Sequence, residues 1–407
     1  MKKILILIHG LGCGGAEKSL VSLLENLPHN IWSIDLIVAS PNGMLMTRIP
    51  SYVHRVEGLY ELESYATVLK ERRKKVWNVR DFILQSKWQV QSRIIASSKL
   101  HSDEKRWVMW GRYLPAIEKK YDLAISYMNG FPNYFVIDKV VADKKILWIH
   151  NEFEKLGYNV EFESAYFHAA DRIVTISQAC VDSFLRVYPD LENKITVLEN
   201  ISSAEDIYEK AKKIPEYDPF FFFDGYKIVS IGRLSEQKNF ALSIDAANIL
   251  KEKGIKFIWY ILGDGSLRQK LEHQIRDYDL QEQVKLVGIK DNPYPYIAYC
   301  DVFAQSSIYE GKSIVLDEAK ILCKPIVITN YTTASNSIDT GKNGLVVDMT
   351  AESLASGIMQ LLQDAEYREE LIGQLRNEQN GNVAEIEKYI SLFAELLGEK
   401  NEDIDCN

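Results

Sequence analysis

Two segments in the second half of the chain carry charged side chains at positions where a phosphorylated ligand could bind. Arg233 and Lys238 follow the apolar run Lys227 to Ile231, while Glu310 and Glu318 lie further on with seven residues between them. A guanidinium bonds an anion in pairs and an ammonium acts as a point charge, so these two cations suit two phosphates. Carboxylates accept hydrogen bonds from vicinal hydroxyls, so the two glutamates suit a ribose and a sugar. Both cations could instead be solvated loop residues.

The segment between the two glutamates predicts a loop followed by a helix. Gly311 and Ser313 are typical of a loop and an N-cap, and an apolar helical pattern follows them. Glu310 would then stand in the loop and Glu318 about two turns into the helix, so the two could touch different parts of one extended ligand. The alternative is a pair of surface glutamates, which would place no demand on the glycine and serine between them.

Glycine turns at other strand ends give weaker signals. Gly263 and Gly265 follow the run Phe257 to Leu262, and Gly288-Ile289 follows Val284 to Val287, where backbone groups could meet a planar base. In the first half, Gly14 and Gly15 close a glycine-rich turn before a helix, where backbone N–H groups could approach an anion. A tight turn that packs a helix on a strand accounts equally well for each of them.

A histidine at another strand end is a further candidate. His150 follows Trp148-Ile149, and its ring could bond a sugar or help to move a proton. A lone histidine is more often structural, so the residue by itself leaves both interpretations open.

The elements that would position these residues appear as short apolar runs between helical patterns. Runs of four to six residues, apolar at nearly every position, are typical of parallel strands covered on both faces. The first series is Ile4 to Ile8, Ile34 to Val38, Leu123 to Ser126, Ile146 to Ile149, Ile173 to Ile176 and Ile195 to Leu198. The second series is Lys227 to Ile231, Phe257 to Leu262, Val284 to Val287, Val302 to Ala304, Pro325 to Thr329 and Gly344 to Val347. We therefore predict an α/β protein of two Rossmann-like domains that face each other across a cleft, with ligands beyond the carboxyl ends of the strands.

The predicted domain boundary lies in the proline-containing connection from Asn200 to Tyr226. We expect an N-terminal domain over 1–200, a C-terminal domain over 201–380, and a closing helix over 381–407 that could cross back to the N-terminal domain. A basic, tryptophan-rich helical insertion spans about 69–113. It could lie on an anionic membrane surface, or it could be an ordinary solvated helix pair with tryptophans in the core.

Composition restricts the class of protein. The formal net charge of −9 over 407 residues argues against nucleic-acid binding, which usually leaves a basic footprint. The five scattered cysteines lack any CxxC pair, which argues against a disulfide framework or a zinc site and favours the reducing cytoplasm. No apolar stretch reaches the roughly 18 residues of a spanning helix, so any membrane contact is expected to be peripheral.

Taken together, these motifs resemble the retaining glycosyltransferases of the GT-B fold, particularly family 4, formerly called group 1. The resemblance covers nearly the whole chain. It rests on Gly12-Cys13-Gly14-Gly15-Ala16-Glu17, on Gly232-Arg233-Leu234 with Gln237-Lys238-Asn239, on Gly263-Asp264-Gly265, and on the E-x7-E motif from Glu310 to Glu318.

The resemblance implies an activity and a set of partners. It implies that a hexosyl or N-acetylhexosaminyl group is transferred from a UDP-sugar, without a metal ion and with retention of the anomeric configuration. Because the UDP-sugar is a substrate, no cofactor is expected. The acceptor would be a polyprenyl-linked saccharide that binds the N-terminal domain. The reaction would take place at the inner face of the plasma membrane, in the synthesis of a bacterial capsule or other surface polysaccharide.

The resemblance also implies roles for residues. Arg233 and Lys238 would neutralise the departing diphosphate, Glu318 would bind the ribose, and Glu310 and His150 would meet the donor sugar. Backbone N–H groups from Ser313 to Val315 would bind a phosphate. The catalytic residues are therefore expected to be His150, Glu310, Arg233 and Lys238, and the donor-binding residues Gly14, Gly15, Arg233, Lys238, Gly263, Ile289, Glu310, Lys312, Ser313, Ile314, Val315 and Glu318.

One departure and two alternatives remain open. Lys312-Ser313 follows Gly311 where family members often have an aromatic residue and then a small one, so the donor sugar is not determined. The alternatives are a nucleotide-sugar epimerase of the same architecture and a non-catalytic partner subunit of a glycosyltransferase.

Overall fold

The computed structural model describes residues 1–12, 14–40, 43–56, 98–378 and 381–399. Cys13 and the part of the predicted basic insertion from residue 69 to residue 97 lie outside the described residues. The chain divides into two compact units, one formed by Met1–Asn200 with Ala384–Asn407 and the other by Ile201–Val383.

The first unit is built on a seven-stranded parallel sheet with the strand order β3-β2-β1-β4-β5-β6-β7. Its strands are β1 (Lys2–Gly10), β2 (Trp32–Ser40), β3 (His54–Arg55), β4 (Ile117–Ser126), β5 (Val140–Ile149), β6 (Arg172–Thr175) and β7 (Ile195–Val197). Its helices up to residue 200 are α1 (Gly15–Asn26), α2 (Ser102–Trp110), α3 (Phe131–Lys139), α4 (Val160–Ala169) and α5 (Gln178–Val187). The apolar run Ile4 to Ile8 is fully buried at the centre of this sheet, as a strand with helices on both faces requires.

Strands β4 and β5 are longer than their apolar runs predict. In β4 the added residues after Ile117 are mainly polar, and Ile117 pairs with Val140, the first residue of β5, ahead of the predicted starts. The buried carboxylate of Asp35 helps to hold this extension, because it accepts hydrogen bonds from Lys119 Nζ at 2.6 Å and from Tyr121 Oη at 2.7 Å. The sheet therefore extends where polar partners, rather than apolar cover, stabilise it.

The second unit is built on a six-stranded parallel sheet with the strand order β10-β9-β8-β11-β12-β13. Its strands are β8 (Tyr226–Ile231), β9 (Phe257–Leu262), β10 (Val284–Gly288), β11 (Val302–Gln305), β12 (Ile326–Thr329) and β13 (Leu345–Val347). Its helices are α6 (Ala204–Ala211), α7 (Pro219–Phe222), α8 (Phe240–Glu252), α9 (Arg268–Asp277), α10 (Tyr294–Tyr299), α11 (Ile314–Ile321), α12 (Ala334–Ser337), α13 (Ala351–Gln363) and α14 (Ala365–Asn377). Two parallel sheets with interleaved helices confirm the predicted α/β class.

The last helix, α15 (Ile386–Leu397), packs on the first unit. The ring of Tyr389 stacks on that of Trp148 in β5, with 5.9 Å between centroids. Arg172 Nη2 bonds Glu395 Oε1 at 2.6 Å, and Trp32 Nε1 donates to Glu399 Oε2 at 2.9 Å. Aromatic packing and two polar contacts thus attach the end of the chain to the first sheet.

None of the helices in the described part of the chain combines the length and apolar character needed to cross a bilayer.

Candidate active site

The turn after β8 directs Lys238 toward the loop after β11. A short 3-10 turn, Glu236–Lys238, is followed by Asn239 in the left-handed conformation, with φ of 48°, and then by α8. A Cβ atom on Gly232 would lie only 3.0 to 3.1 Å from the Cγ, Cδ and Cε atoms of Lys238. The bare glycine therefore lets the lysine side chain pass closely over the strand end.

Lys238 and Glu310 form an ion pair that joins the two predicted motifs. Lys238 Nζ lies 2.5 Å from Glu310 Oε1, and only 15% and 8% of the two side chains are exposed. The same carboxylate oxygen accepts hydrogen bonds from Ser307 Oγ at 2.6 Å and from Gln305 Nε2 at 3.4 Å. Residues that are 72 positions apart in the sequence thus meet beyond the carboxyl ends of β8 and β11, which are adjacent parallel strands.

Helix α11 begins at Ile314, directly after Ser313, as predicted. The Ser313 hydroxyl does not cap the helix; it donates to Gln305 Oε1 at 2.9 Å. Further along the helix, Glu318 is buried and accepts a hydrogen bond from Tyr294 Oη at 3.2 Å. No side chain therefore caps the N–H groups at the start of the helix, and a buried carboxylate lies further along it.

Two predicted cations differ in their surroundings. Arg233 is exposed in the turn after β8. Lys312 Nζ lies 3.9 Å from Asp317 Oδ2, at the long end of an ion-pair distance. Arg233 is thus accessible to a ligand, whereas Lys312 already has a carboxylate close by.

The glycines after β9 are required by contacts between neighbouring turns. Gly263 has φ of 144°, and a Cβ atom there would lie 1.9 Å from the carbonyl oxygen of Gly232. A Cβ atom on Gly265 would lie 2.4 Å from the carbonyl oxygen of Leu234. Backbone packing accounts for both glycines without a ligand. Ile289, which follows the next glycine turn, is 46% exposed.

In the first unit, Gly14 precedes α1 and Gly15 is its first residue. A Cβ atom on Gly14 would lie 2.1 Å from Glu17 Oε2, so the glutamate side chain covers this glycine. The carboxylate occupies the space at the positive end of the helix dipole, where an anion is favoured.

His150 follows β5 and is buried. Its Nε2 atom lies 2.9 Å from the carbonyl oxygen of Tyr127. Because a carbonyl only accepts hydrogen bonds, Nε2 carries the proton of the neutral ring and Nδ1 is left as an acceptor. Burial lowers the pKa of His150 to about 4, and the bond to Tyr127 opposes this shift. The imidazole is therefore uncharged at neutral pH.

Polar residues that the sequence did not single out complete the surroundings of Glu310. Gln305 and Ser307 bond its carboxylate, and Thr333 Oγ1 donates to its backbone carbonyl at 2.7 Å. The sequence feature that could have identified Gln305 and Ser307 is a glutamine at the end of the apolar strand β11, buried in the structure and followed by two serines.

Comparisons with known proteins agree with this architecture. The family model for group 1 glycosyl transferases matches residues 218–378. The chain is 28% identical over 372 residues to an N-acetylgalactosamine-N,N'-diacetylbacillosaminyl-diphospho-undecaprenol 4-alpha-N-acetylgalactosaminyltransferase of Campylobacter jejuni, which covers 90% of this chain and 92% of that protein. It is 25% identical over 253 residues to a poly(ribitol-phosphate) alpha-N-acetylglucosaminyltransferase of Staphylococcus aureus, which covers 60% of this chain and 48% of that protein.

Solved structures show the same fold. The crystal structure of Anabaena HepE in complex with UDP-glucose superposes with a TM-score of 0.67 at 17% identity and covers 97% of this chain and all of that one. Two parallel-sheet units of this kind are typical of the GT-B fold. The second unit, which contains Lys238 and Glu310, therefore matches the group 1 glycosyl transferases over residues 218–378.

Proposed function

We propose that this glycosyltransferase moves a hexosyl or N-acetylhexosaminyl group, with retention, from a UDP-sugar to a lipid-linked saccharide. The observation that carries the proposal is the contact of 2.5 Å between Lys238 Nζ and Glu310 Oε1. It brings together a cation that can bind a phosphate and a carboxylate that can bind sugar hydroxyls. Both lie at the strand ends where ligands of such sheets bind.

The donor would be held along this edge of the second unit. Arg233 and Lys238 bind the diphosphate, the first-turn N–H groups of α11 bind a phosphate oxygen, and Glu318 binds the ribose hydroxyls. When the bond between the anomeric carbon and the β-phosphate oxygen breaks, negative charge grows on the leaving diphosphate. A cation already in place stabilises that charge without reorganisation, and such electrostatic stabilisation is usually the largest catalytic term.

Glu310 and His150 would serve the sugar end of the donor. Glu310 is fixed by three donors on one oxygen, so its other oxygen is oriented for a sugar hydroxyl. His150, as a neutral ring, would take part through hydrogen bonding. The acceptor oxygen forms the new bond to the anomeric carbon as the diphosphate leaves, and its proton passes to the leaving diphosphate oxygen.

We propose that the reaction needs neither a metal ion nor a cofactor. Arg233 and Lys238 would supply the positive charge instead. Transfer that is undiminished in EDTA supports this step, and activity that returns only with added Mg²⁺ or Mn²⁺ contradicts it.

The proposed acceptor is a polyprenyl-linked saccharide in bacterial surface polysaccharide synthesis, met at the inner face of the plasma membrane. The name of the C. jejuni relative, which states a diphospho-undecaprenol-linked acceptor, supports this choice.

A transfer assay tests the proposal. The purified chain is incubated with UDP-glucose, UDP-galactose, UDP-GlcNAc or UDP-GalNAc and a panel of polyprenyl-diphosphate saccharides, and the products are followed by mass spectrometry. We expect UDP release coupled to a saccharide longer by one residue, with the anomeric configuration of the donor retained by NMR. An isomerised donor without acceptor would indicate an epimerase, and a chain that binds no nucleotide sugar would contradict the proposal.

A matched pair of lysine variants connects the assay to the site. Lys238→Met should abolish transfer. Lys256→Met removes an ion pair of 2.8 Å with Asp224 at the amino end of β9, the opposite edge of the same sheet, and should leave transfer unchanged.

A further inference from the structure

Gln305, at the end of β11, bonds two parts of the candidate active site at once. Its side chain is buried, with Nε2 3.4 Å from Glu310 Oε1 and Oε1 2.9 Å from Ser313 Oγ. A carboxylate only accepts hydrogen bonds, so the amide nitrogen must face Glu310. The amide oxygen is then left for the serine hydroxyl, which is why Gln305 can serve both neighbours.

Because Ser313 bonds Gln305, its hydroxyl does not cap the helix as an N-cap serine usually does. A serine at this position normally accepts a hydrogen bond from the second or third N–H of the helix, here Val315 or Leu316. Ser313 makes no such bond. The first turn of a helix lacks the regular intrahelical acceptors for its N–H groups, although the Leu316 N–H here donates to the Ser313 backbone carbonyl at 3.0 Å. The N–H groups of Ile314 and Val315 are available to a ligand only while the Ser313 hydroxyl is held elsewhere.

We infer that Gln305 is a positioning residue that keeps the Ser313 hydroxyl off the first turn of α11, so that these N–H groups can bind a donor phosphate, while it also orients Glu310. The inference rests on the proposed function, in which the start of α11 meets the diphosphate. Gln305 itself does not touch the ligand.

UDP binding measured by titration calorimetry tests this coupling. Gln305→Met has a side chain of similar length without either hydrogen bond, so Ser313 is released and can cap the helix. We expect UDP affinity to fall about tenfold, the loss of one hydrogen bond to a charged group. Ser313→Ala should strengthen UDP binding in the Gln305→Met background but not in the wild-type background. If Ser313→Ala has the same effect in both backgrounds, the inference is wrong.

A second variant keeps the test independent of the stability of Gln305→Met. Gln305→Glu retains an acceptor for Ser313, so the serine should stay with residue 305 and Ser313→Ala should not strengthen UDP binding there. Strengthening in that background would contradict the inference, whatever the effect of the new carboxylate on Glu310.

A crystal structure of ligand-free Gln305→Met separates this inference from the proposed function. We expect Ser313 Oγ within hydrogen-bond distance of the Val315 or Leu316 backbone nitrogen. An unchanged serine rotamer overturns the positioning role even if UDP binds. Conversely, a wild-type chain that binds no UDP overturns the proposed donor, while the crystal structure still decides the role of Gln305.

Discussion

The buried imidazole of His150 makes the fold sensitive to acid in a way that one substitution should remove. Burial lowers its pKa from 6.5 to about 4. Between these two pH values the unfolded chain holds a proton on this ring and the folded chain does not, so stability falls as the pH falls. At 1.36 kcal/mol per pKa unit, the loss approaches about 3 kcal/mol near pH 4.

His150→Gln tests this reasoning, because its amide nitrogen can still donate to the carbonyl of Tyr127 but does not titrate. Urea unfolding is followed by tryptophan fluorescence, since four of the five tryptophans among the described residues lie in the first unit. Between pH 7 and pH 4.5, we expect wild type to lose about 2 kcal/mol more than the variant. Parallel losses would refute the reasoning and would mean that His150 is charged or solvated in the folded chain.

Two further predictions concern a buried acid and a glycine turn. Burial raises the pKa of Glu163, which accepts a hydrogen bond from Tyr134, to about 8. Stability should therefore fall as the pH rises from 5 to 8, and urea unfolding of Glu163→Gln should lack this fall; an equal fall in both proteins contradicts the assignment. Gly263→Ala places a Cβ atom 1.9 Å from the carbonyl oxygen of Gly232, so we expect a markedly lower unfolding temperature. Gly373→Ala, where the Cβ atom meets nothing within 4 Å, is the matched control and should be neutral or stabilising by up to about 1 kcal/mol; similar unfolding temperatures for the two variants would contradict the account.

The sheets were predictable from sequence because their central strands are buried on both faces. A strand such as β9 (Phe257–Leu262), buried at every position, has no other stable place in a globular chain. The polar start of β4 was not predictable, because the Asp35 contacts that hold it come from a residue distant in sequence. The two-residue edge strand β3 carries no apolar signal at all.

The candidate site was predictable in its residue types but not in its connections. Lys238 and Glu310 each follow a strand of the second sheet. Because ligands of parallel sheets bind beyond the carboxyl ends of the strands, the sequence predicted that both residues lie at that edge of the sheet. The strand order that makes them neighbours, with β11 beside β8, is set by tertiary packing. The bonds of Gln305 depend on side-chain geometry within that arrangement, and no spacing in the sequence encodes them.

The glycine turns also depend on contacts between distant segments, which the sequence does not reveal. Gly263 and Gly265 were equally compatible with ligand approach and with a plain turn. Their contacts with the carbonyl oxygens of Gly232 and Leu234 explain both glycines by backbone packing, a cause that lies in another segment of the chain.

The central claim is that Arg233 and Lys238 bind the diphosphate of the donor. Titration calorimetry with UDP on wild type, Arg233→Ala, Lys238→Met and the control Lys256→Met tests it most directly. Loss of a charge-assisted hydrogen bond of roughly 1.5 to 3 kcal/mol predicts an affinity about ten to a hundred times lower for each of the first two variants. The control should bind as wild type does, and all four proteins should unfold cooperatively. Unchanged UDP affinity in both Arg233→Ala and Lys238→Met would contradict the account.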